Sequence, residues 1–420
     1  MAMDENELKE EFLEEKQKFL TTTLKNAMIA EPSGEIGDES FDEILESLSS
    51  EEAFRELENR LESTNVGSNP EIELKTFQPP YNIIFLKTHK TGSSTIQNIL
   101  FNFVNKPDSF NQLIYPKLHA LFFGYPRPFQ MNSVTNSVKP GNIILHHAVY
   151  SPDLEYFFST NPYHKNSYPT FSFTILRNPV DLIKSAYKYY ATLSAVKHSR
   201  KDFSLFMEDP IKFSSYPENI MKHIRANVLR NGMKFDLGED ENDIITAIRN
   251  IERKFDLVLI LERLDESLVL LKKYLSDWEY EDLVYLAKNV QQSESESESN
   301  DVPTAKIEKW AQQDLLIYKH FNSILNKKIE KYGQRQMFFD AQKLKDLSIQ
   351  TKAECFTTPV TSIAAMHKTM YWFPQDGSIE IPWVRSDRLG NKTCRNLGRS
   401  ERKYHVMLQN RDKKAFAEEG

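Results

Sequence analysis

The sequence predicts an α/β fold, a largely parallel sheet flanked by helices on both faces. Three observations lead there. Four short runs, residues 82–86, 142–145, 171–176 and 255–261, are apolar along most of their length, as strands buried on both faces are. Helical patterns follow them, as in Ile96, Ile99, Leu100, Phe103 and Val104, spaced by three and four. Polar turns separate strand from helix, and strand–helix alternation of this kind builds parallel sheets.

The 420 residues suffice for one large α/β domain with additions, and 40% hydrophobic and 12% aromatic content can fill its core. The net charge of −7 is unevenly spread. Residues 1–76 carry 21 acidic against 7 basic side chains; the rest of the chain is mildly basic, at +7. That bias suits an anionic ligand and is too weak for nucleic acid. Two cysteines, Cys355 and Cys394, exclude a thiol-rich metal site. No H-E-x-x-H pattern or carboxylate cluster with ligand spacing appears, so no metal is expected. The acidic start MAMDENELKEEF lacks a signal-peptide apolar region, and no run of 18 apolar residues reads as a membrane span.

Taken in order, residues 1–30 read as a charged amphipathic helix on Leu8, Phe12, Phe19, Leu20 and Leu24, broken by the Pro- and Gly-containing stretch 31–50. A second short helix, 51–62, precedes a flexible stretch, 63–70. The whole extension, 1–76, is expected to be an acidic tail, partly helical or disordered, with a partner-binding coiled coil as the alternative. After the first strand and helix, residues 106–139 form a long Pro- and aromatic-rich loop of the kind that lines sites. Helices are expected over 180–193, 217–230, 241–254, 265–275 and 304–333, the last with Trp310, Leu315, Tyr318 and Phe321 inward. QQSESESESN, 291–300, is an acidic low-complexity loop without chemistry. Residues 341–420 are weakly patterned, with strand-like segments at 371–373 and 379–384, and are expected to pack on the same domain.

The chemistry concentrates at strand ends. Residues 87–95, Lys87, Thr88, His89, Lys90, Thr91, Gly92, Ser93, Ser94 and Thr95, lead from the first strand into a helix. A helix N-terminus attracts anions, Gly92 permits close backbone approach, Lys90 adds charge and the hydroxyls add donors. The Walker A order places Lys after the second Gly, whereas Lys90 precedes the lone Gly92, so this is a phosphate-gripping loop of another kind. The plain alternative is a Ser-capped strand–turn–helix. The loop resembles the 5′-phosphosulfate loop of sulfotransferases that use 3′-phosphoadenosine 5′-phosphosulfate (PAPS).

A second anion grip is Arg177 at the end of the third strand with Ser185 eight residues on, an arginine fork and a hydroxyl on one anion. Arg177-Asn178-Pro179 followed by Ser185 resembles the 3′-phosphate site of the same enzymes. A surface ion pair at Arg177 and an incidental Ser185 is the alternative. The third feature is His146-His147, again at a strand end. His147 is the candidate base and Lys90 the candidate stabiliser of the leaving oxygen. His89 is the second candidate base and His119 a weaker third.

Several segments together extend the resemblance. FLKTHKTGSSTIQNILF, NIILHHAVY, FTILRNPVDLIKSAYKYY, RNGMKFDLG and FDLVLILERLDESLVLLKKYL resemble the galactose-3-O-sulfotransferase family, in that family's order, over roughly residues 81–289. The resemblance implies a sulfotransferase fold over 77–340, PAPS as co-substrate, and sulfate transfer to the 3-hydroxyl of a terminal β-galactose on glycolipid or glycoprotein glycans. It places residues 87–95 at the 5′-phosphosulfate, Arg177 and Ser185 at the 3′-phosphate, and Arg230 and Asn231 at an acceptor or cofactor contact. The alternatives are a non-catalytic PAPS- or glycan-binding protein and an ATP-dependent kinase. The family implies membrane association and the Golgi lumen; the missing anchor argues for the cytoplasm. A luminal protein would pair Cys355 with Cys394 and allow glycosylation at Asn391, within the sequon Asn391-Lys392-Thr393.

Overall fold

The computed structural model describes residues 48–63, 73–106, 112–117, 121–135, 141–160, 168–190, 202–210, 232–239, 243–286, 302–357, 360–361, 380–381 and 384–419. His119, Arg230, Asn231, the helices expected over 1–30 and 217–230, the acidic loop 291–300 and the strand expected at 371–373 lie outside them.

In chain order the elements are α1 (Ser50–Ser63), β1 (Asn82–Leu86), α2 (Ser93–Val104), β2 (Ile143–Ile144), α3 (Asp153–Thr160), β3 (Thr170–Leu176), α4 (Pro179–Tyr190), α5 (Phe203–Glu208) and α6 (Gly232–Asp236). There follow α7 (Ile244–Lys254), β4 (Leu257–Ile260), α8 (Leu264–Tyr274), α9 (Thr304–Trp310), α10 (Gln312–Tyr332), α11 (Gln334–Cys355), β5 (Val360–Thr361), β6 (Glu380–Ile381), α12 (Lys392–Gly398) and α13 (Glu401–Glu419).

The main sheet runs β2–β1–β3–β4, and every pair is parallel. Ile83 lies opposite Ile143 and Phe171, and Phe173 opposite Phe85 and Leu257. These residues, with Ile84, Ile144, Ile175 and Leu259, are buried, which explains why the strands read as apolar runs rather than alternating ones. Crossover helices join the strands, so the turns after β1, β3 and β4 all emerge at the carboxyl ends of the parallel strands, where open α/β folds bind ligands.

Four expectations are revised. The helix expected over 304–333 divides at Ala311, whose φ of −110° and ψ of 32° leave the helical region. The strand expected over 255–261 is shorter, because Leu261–Arg263 turns as a 3₁₀ segment. The stretch 341–420 is more helical than its pattern suggests, since much of it lies in α11, α12 and α13. The fourth concerns α1, which is docked rather than a free tail. Ala53, Leu57 and Leu61 recur at four-residue spacing and are buried. Glu51 pairs with Lys319 at 2.7 Å, and His320 stands between Glu58 at 3.0 Å and Glu252 at 2.9 Å.

Residues 45–420 form one compact unit. Cys355 and Cys394 are joined by a disulfide, with Cα atoms 5.0 Å apart, inside a cluster with Val284, Leu286, Phe356 and Leu397. No helix among the described residues is long and apolar enough to cross a membrane.

Candidate active site

From Leu86 the chain turns through residues 87–92 into α2. Lys90 has φ 60° and Gly92 φ 75°; Lys90 is the one non-glycine residue with positive φ among those described. A side chain rarely takes that conformation without a local reason, and such positions gather at functional sites. Gly92 is favoured by its φ; a Cβ there would also lie 2.5 Å from Leu261 Cδ1, the end of a flexible side chain that would have to turn aside. No side chain caps the first turn of α2, so its N-terminal dipole faces the turn unscreened by a capping oxygen.

Not every residue of 87–95 faces outward. The Thr88 hydroxyl donates to the Ile175 carbonyl at 2.6 Å and meets the Thr91 hydroxyl at 2.7 Å. Ser93 Oγ donates to the Thr88 carbonyl at 2.6 Å. These three hydroxyls build the loop and tie it to β3. The Lys87 ammonium is buried and donates to Gln97 Oε1 and Glu401 Oε2, both at 2.8 Å. Lys90 and Ser94 keep part of their surface open, and Thr95 is buried in the first turn of α2. The Lys90 ammonium lies 3.9 Å from the centre of the Tyr189 ring.

Arg177 follows β3 directly. Its Nη1 donates to the Lys90 carbonyl at 3.1 Å, so the second grip is bonded to the first. Burial lowers the Arg177 pKa while Asp181 and Glu262 oppose this, and a guanidinium remains charged throughout. Pro179 opens α4 as expected, with Asn178 Oδ1 accepting the Val180 N–H at 2.9 Å. Ser185 is buried on the second turn of that helix.

His89 and His147 stack face to face, ring centres 4.1 Å apart, and Phe122 also stacks on His147, at 5.4 Å. His147 Nδ1 is 3.1 Å from the Lys87 carbonyl, an acceptor, so Nδ1 carries the hydrogen and Nε2 keeps its lone pair. Burial, then the neighbouring His89 and Lys87, hold the His147 pKa well below its usual value. The ring is therefore neutral near neutral pH. His89 is held by Asp236: Oδ2 accepts the His89 backbone N–H at 2.8 Å and meets Nδ1 at 2.9 Å, while Oδ1 accepts the Tyr125 hydroxyl at 2.8 Å. Asp236 was not among the residues singled out from sequence, although it lies in the family-like segment RNGMKFDLG.

His146 takes a different place from its neighbour. Fully buried, it bonds Gln97 Nε2 through Nδ1 at 3.2 Å and His405 Nδ1 through Nε2 at 3.0 Å. Glu401 lies beside it, and although burial alone would raise this carboxyl, Lys87 and His146 hold it well below the usual range. Lys87, Gln97, His146, Glu401 and His405 thus form a polar layer behind the turn, two of its members supplied by α13. Nothing in the sequence pattern of 401–419 marked them. A groove of about 630 Å³ beside β4, lined by Glu262, Arg263, Met337 and Phe338 among others, includes none of the sequence-predicted site residues. The sequon residue Asn391 is exposed and caps α12, its Oδ1 accepting the Cys394 N–H at 3.1 Å. No group of three or more potential metal ligands lies together among the described residues.

The arrangement offers cationic and N–H donors at the carboxyl ends of the strands beside two imidazoles, each with Nε2 as the nitrogen left to accept a proton, which suits proton removal next to a bound anion. The chain matches the family model described as galactose-3-O-sulfotransferase over residues 40–378. It is 32% identical over 298 residues to human galactosylceramide sulfotransferase, covering 66% of this chain and 64% of that protein. It is 31% identical over 277 residues to human galactose-3-O-sulfotransferase 2, covering 64% and 66%. Bovine galactose-3-O-sulfotransferase 3 is 28% identical over 351 residues, 79% of each chain. The chain thus spans just under two thirds of the length of the first two relatives. No solved structure matches it. With the family model covering most of its length, the chain belongs to the galactose-3-O-sulfotransferase family.

Proposed function

We propose that the protein is a carbohydrate sulfotransferase that moves sulfate from PAPS to the 3-hydroxyl of a terminal β-galactose on a glycolipid or glycoprotein glycan. The observation that carries this reading is the joining of the two strand-end grips, Arg177 Nη1 bonded to the Lys90 carbonyl, beside the stacked His89 and His147. In this reading the turn around Lys90 and Gly92 is a P-loop-like grip on the 5′-phosphosulfate, with Ser94 and Thr95. Arg177 and Ser185 hold the 3′-phosphate. The residues fit such a ligand chemically: a left-handed turn before an uncapped helix start favours an anion, and an arginine fork favours a phosphate.

PAPS supplies an activated sulfuryl group, and the chain has to orient the galactose hydroxyl, remove its proton and offset charge on the departing phosphate oxygen. Lys90 does the last by its ammonium. One of the two stacked imidazoles takes the proton on Nε2. We further propose a luminal, membrane-associated setting in the Golgi. The disulfide Cys355–Cys394 and the exposed Asn391 sequon support it, since thiols pair and sequons are glycosylated in such compartments.

Incubation with labelled PAPS and a panel of β-galactosides, followed by mapping of the sulfated carbon, tests the reading. Label on the galactose 3-oxygen is expected. Tight PAPS binding with no transfer to any galactoside would point to a binding protein, and phosphate transfer from ATP to the same panel would point to a kinase.

A further inference from the structure

We infer that Asp236 is a positioning residue that holds His89, rather than His147, as the proton acceptor of the site. The inference rests on the sulfotransferase reading above and assigns the base within it.

The two imidazoles are stacked but differently anchored. His147 Nδ1 bonds a neutral carbonyl, that of Lys87. His89 Nδ1 bonds a carboxylate that is fully buried and whose same oxygen takes the His89 backbone N–H. An ionised carboxylate only accepts, so Nδ1 of His89 carries the hydrogen and Nε2 is left as the basic nitrogen. A carboxylate also stabilises the imidazolium that forms when Nε2 takes a proton, which a carbonyl does far less. His147, crowded by His89 and Lys87, is the worse place for that charge.

Asp236 is itself held from several sides. Its second oxygen takes the Tyr125 hydroxyl, and its carbonyl takes the Tyr150 N–H at 3.0 Å. The start of α6 is fixed by Asp314 of α10, whose two carboxylate oxygens accept the N–H groups of Met233 at 3.0 Å and Lys234 at 2.8 Å. Asp314 is buried too, which pushes its pKa up to about 7, and its two oxygens aimed at backbone donors set the start of the helix. The orientation of His89 thus traces through α6 to α10, a segment far along the chain.

In the step this serves, the galactose oxygen forms its bond to sulfur as the bond from sulfur to the 5′-phosphate oxygen breaks. The electron pair stays on that phosphate oxygen beside Lys90, and the hydroxyl proton moves to His89 Nε2.

The test begins without any reaction. Long-range ¹H–¹⁵N spectra of the wild-type protein are expected to show neutral His89 as the Nδ1–H tautomer, and an Nε2–H tautomer overturns the inference even if no variant folds. Asp236→Asn is expected to keep binding adenosine 3′,5′-bisphosphate, to admit the other tautomer, and to lose on the order of 10²–10⁴ in kcat. Near-wild-type kcat in that variant overturns the inference. Tyr125→Phe leaves both His89 contacts in place and is expected to cost no more than about tenfold. A loss as large as that of Asp236→Asn would assign the effect to packing of the corner and overturn the positioning role. Wild-type protein inert toward every galactoside would sink the transferase reading, while the tautomer still decides whether Asp236 sets His89.

Discussion

Lys90 holds two unusual positions at once. Its backbone is left-handed, and its carbonyl is the acceptor that binds Arg177 to the turn. Its ammonium rests over Tyr189 at the mouth of the same turn. A point charge on a flexible stem in this place is suited to the phosphate oxygen that gains charge as sulfate departs. Lys90→Ala is expected to lower kcat by on the order of 10²–10³, the scale for one preorganised electrostatic group. Steady-state kinetics with PAPS and a β-galactoside check this, and a variant with full kcat removes Lys90 from the chemistry. By contrast Lys87, three residues earlier, has its charge turned inward, so neighbouring lysines of one motif serve a surface and a core. A sequence pattern of this length does not separate the two, because the turn itself decides which stem points where.

Among the elements, α13 shows how a helix outside the matched span of 40–378 is built into the layer behind the site. Glu401 at its start pairs with Lys87, and His405 one turn on meets His146. Lys87 is buried and Glu401 is partly covered, its side chain 23% exposed; breaking one member of a fully buried ion pair typically costs about 3–5 kcal/mol, the upper bound here, whereas replacing both by apolar groups is often neutral. Glu401→Leu is therefore expected to lower the melting temperature by leaving the Lys87 ammonium unpaired, and the double variant Lys87→Met with Glu401→Leu to recover most of that loss. Thermal unfolding followed by circular dichroism measures both. A double variant no more stable than the single one would mean that α13 is held by other contacts, such as the Tyr115 hydroxyl on Asp412 at 2.6 Å and the Tyr404 hydroxyl on Asn102 at 2.6 Å.

At the scale of the whole molecule, legibility follows burial. The strands of the parallel sheet were readable because both faces are covered, so their residues are apolar without alternation. The placement of Arg177, His147, Lys90 and Gly92 was readable because each lies in the turn after a strand of that sheet. The partners that hold them were not, since Asp236, Glu401 and His405 come from distant segments and carry no local period. Nor did the charged α1 announce its docking, which rests on a narrow stripe of Ala53, Leu57 and Leu61 and on two residues of α10, Lys319 and His320. Local chemistry shows in sequence; the second side chain in a buried pair is fixed by the fold that brings it there.

On the proposed function, the grips after β1 and β3 form one site for a nucleotide phosphorylated at both the 3′ and 5′ positions. Calorimetric titration with adenosine 3′,5′-bisphosphate against adenosine 5′-phosphate tests it most directly. Wild-type protein is expected to favour the bisphosphate by roughly 10- to 100-fold, the scale of a charge-assisted contact, and Arg177→Ala to lose most of that preference. Equal affinity of the wild-type protein for the two nucleotides would contradict the account.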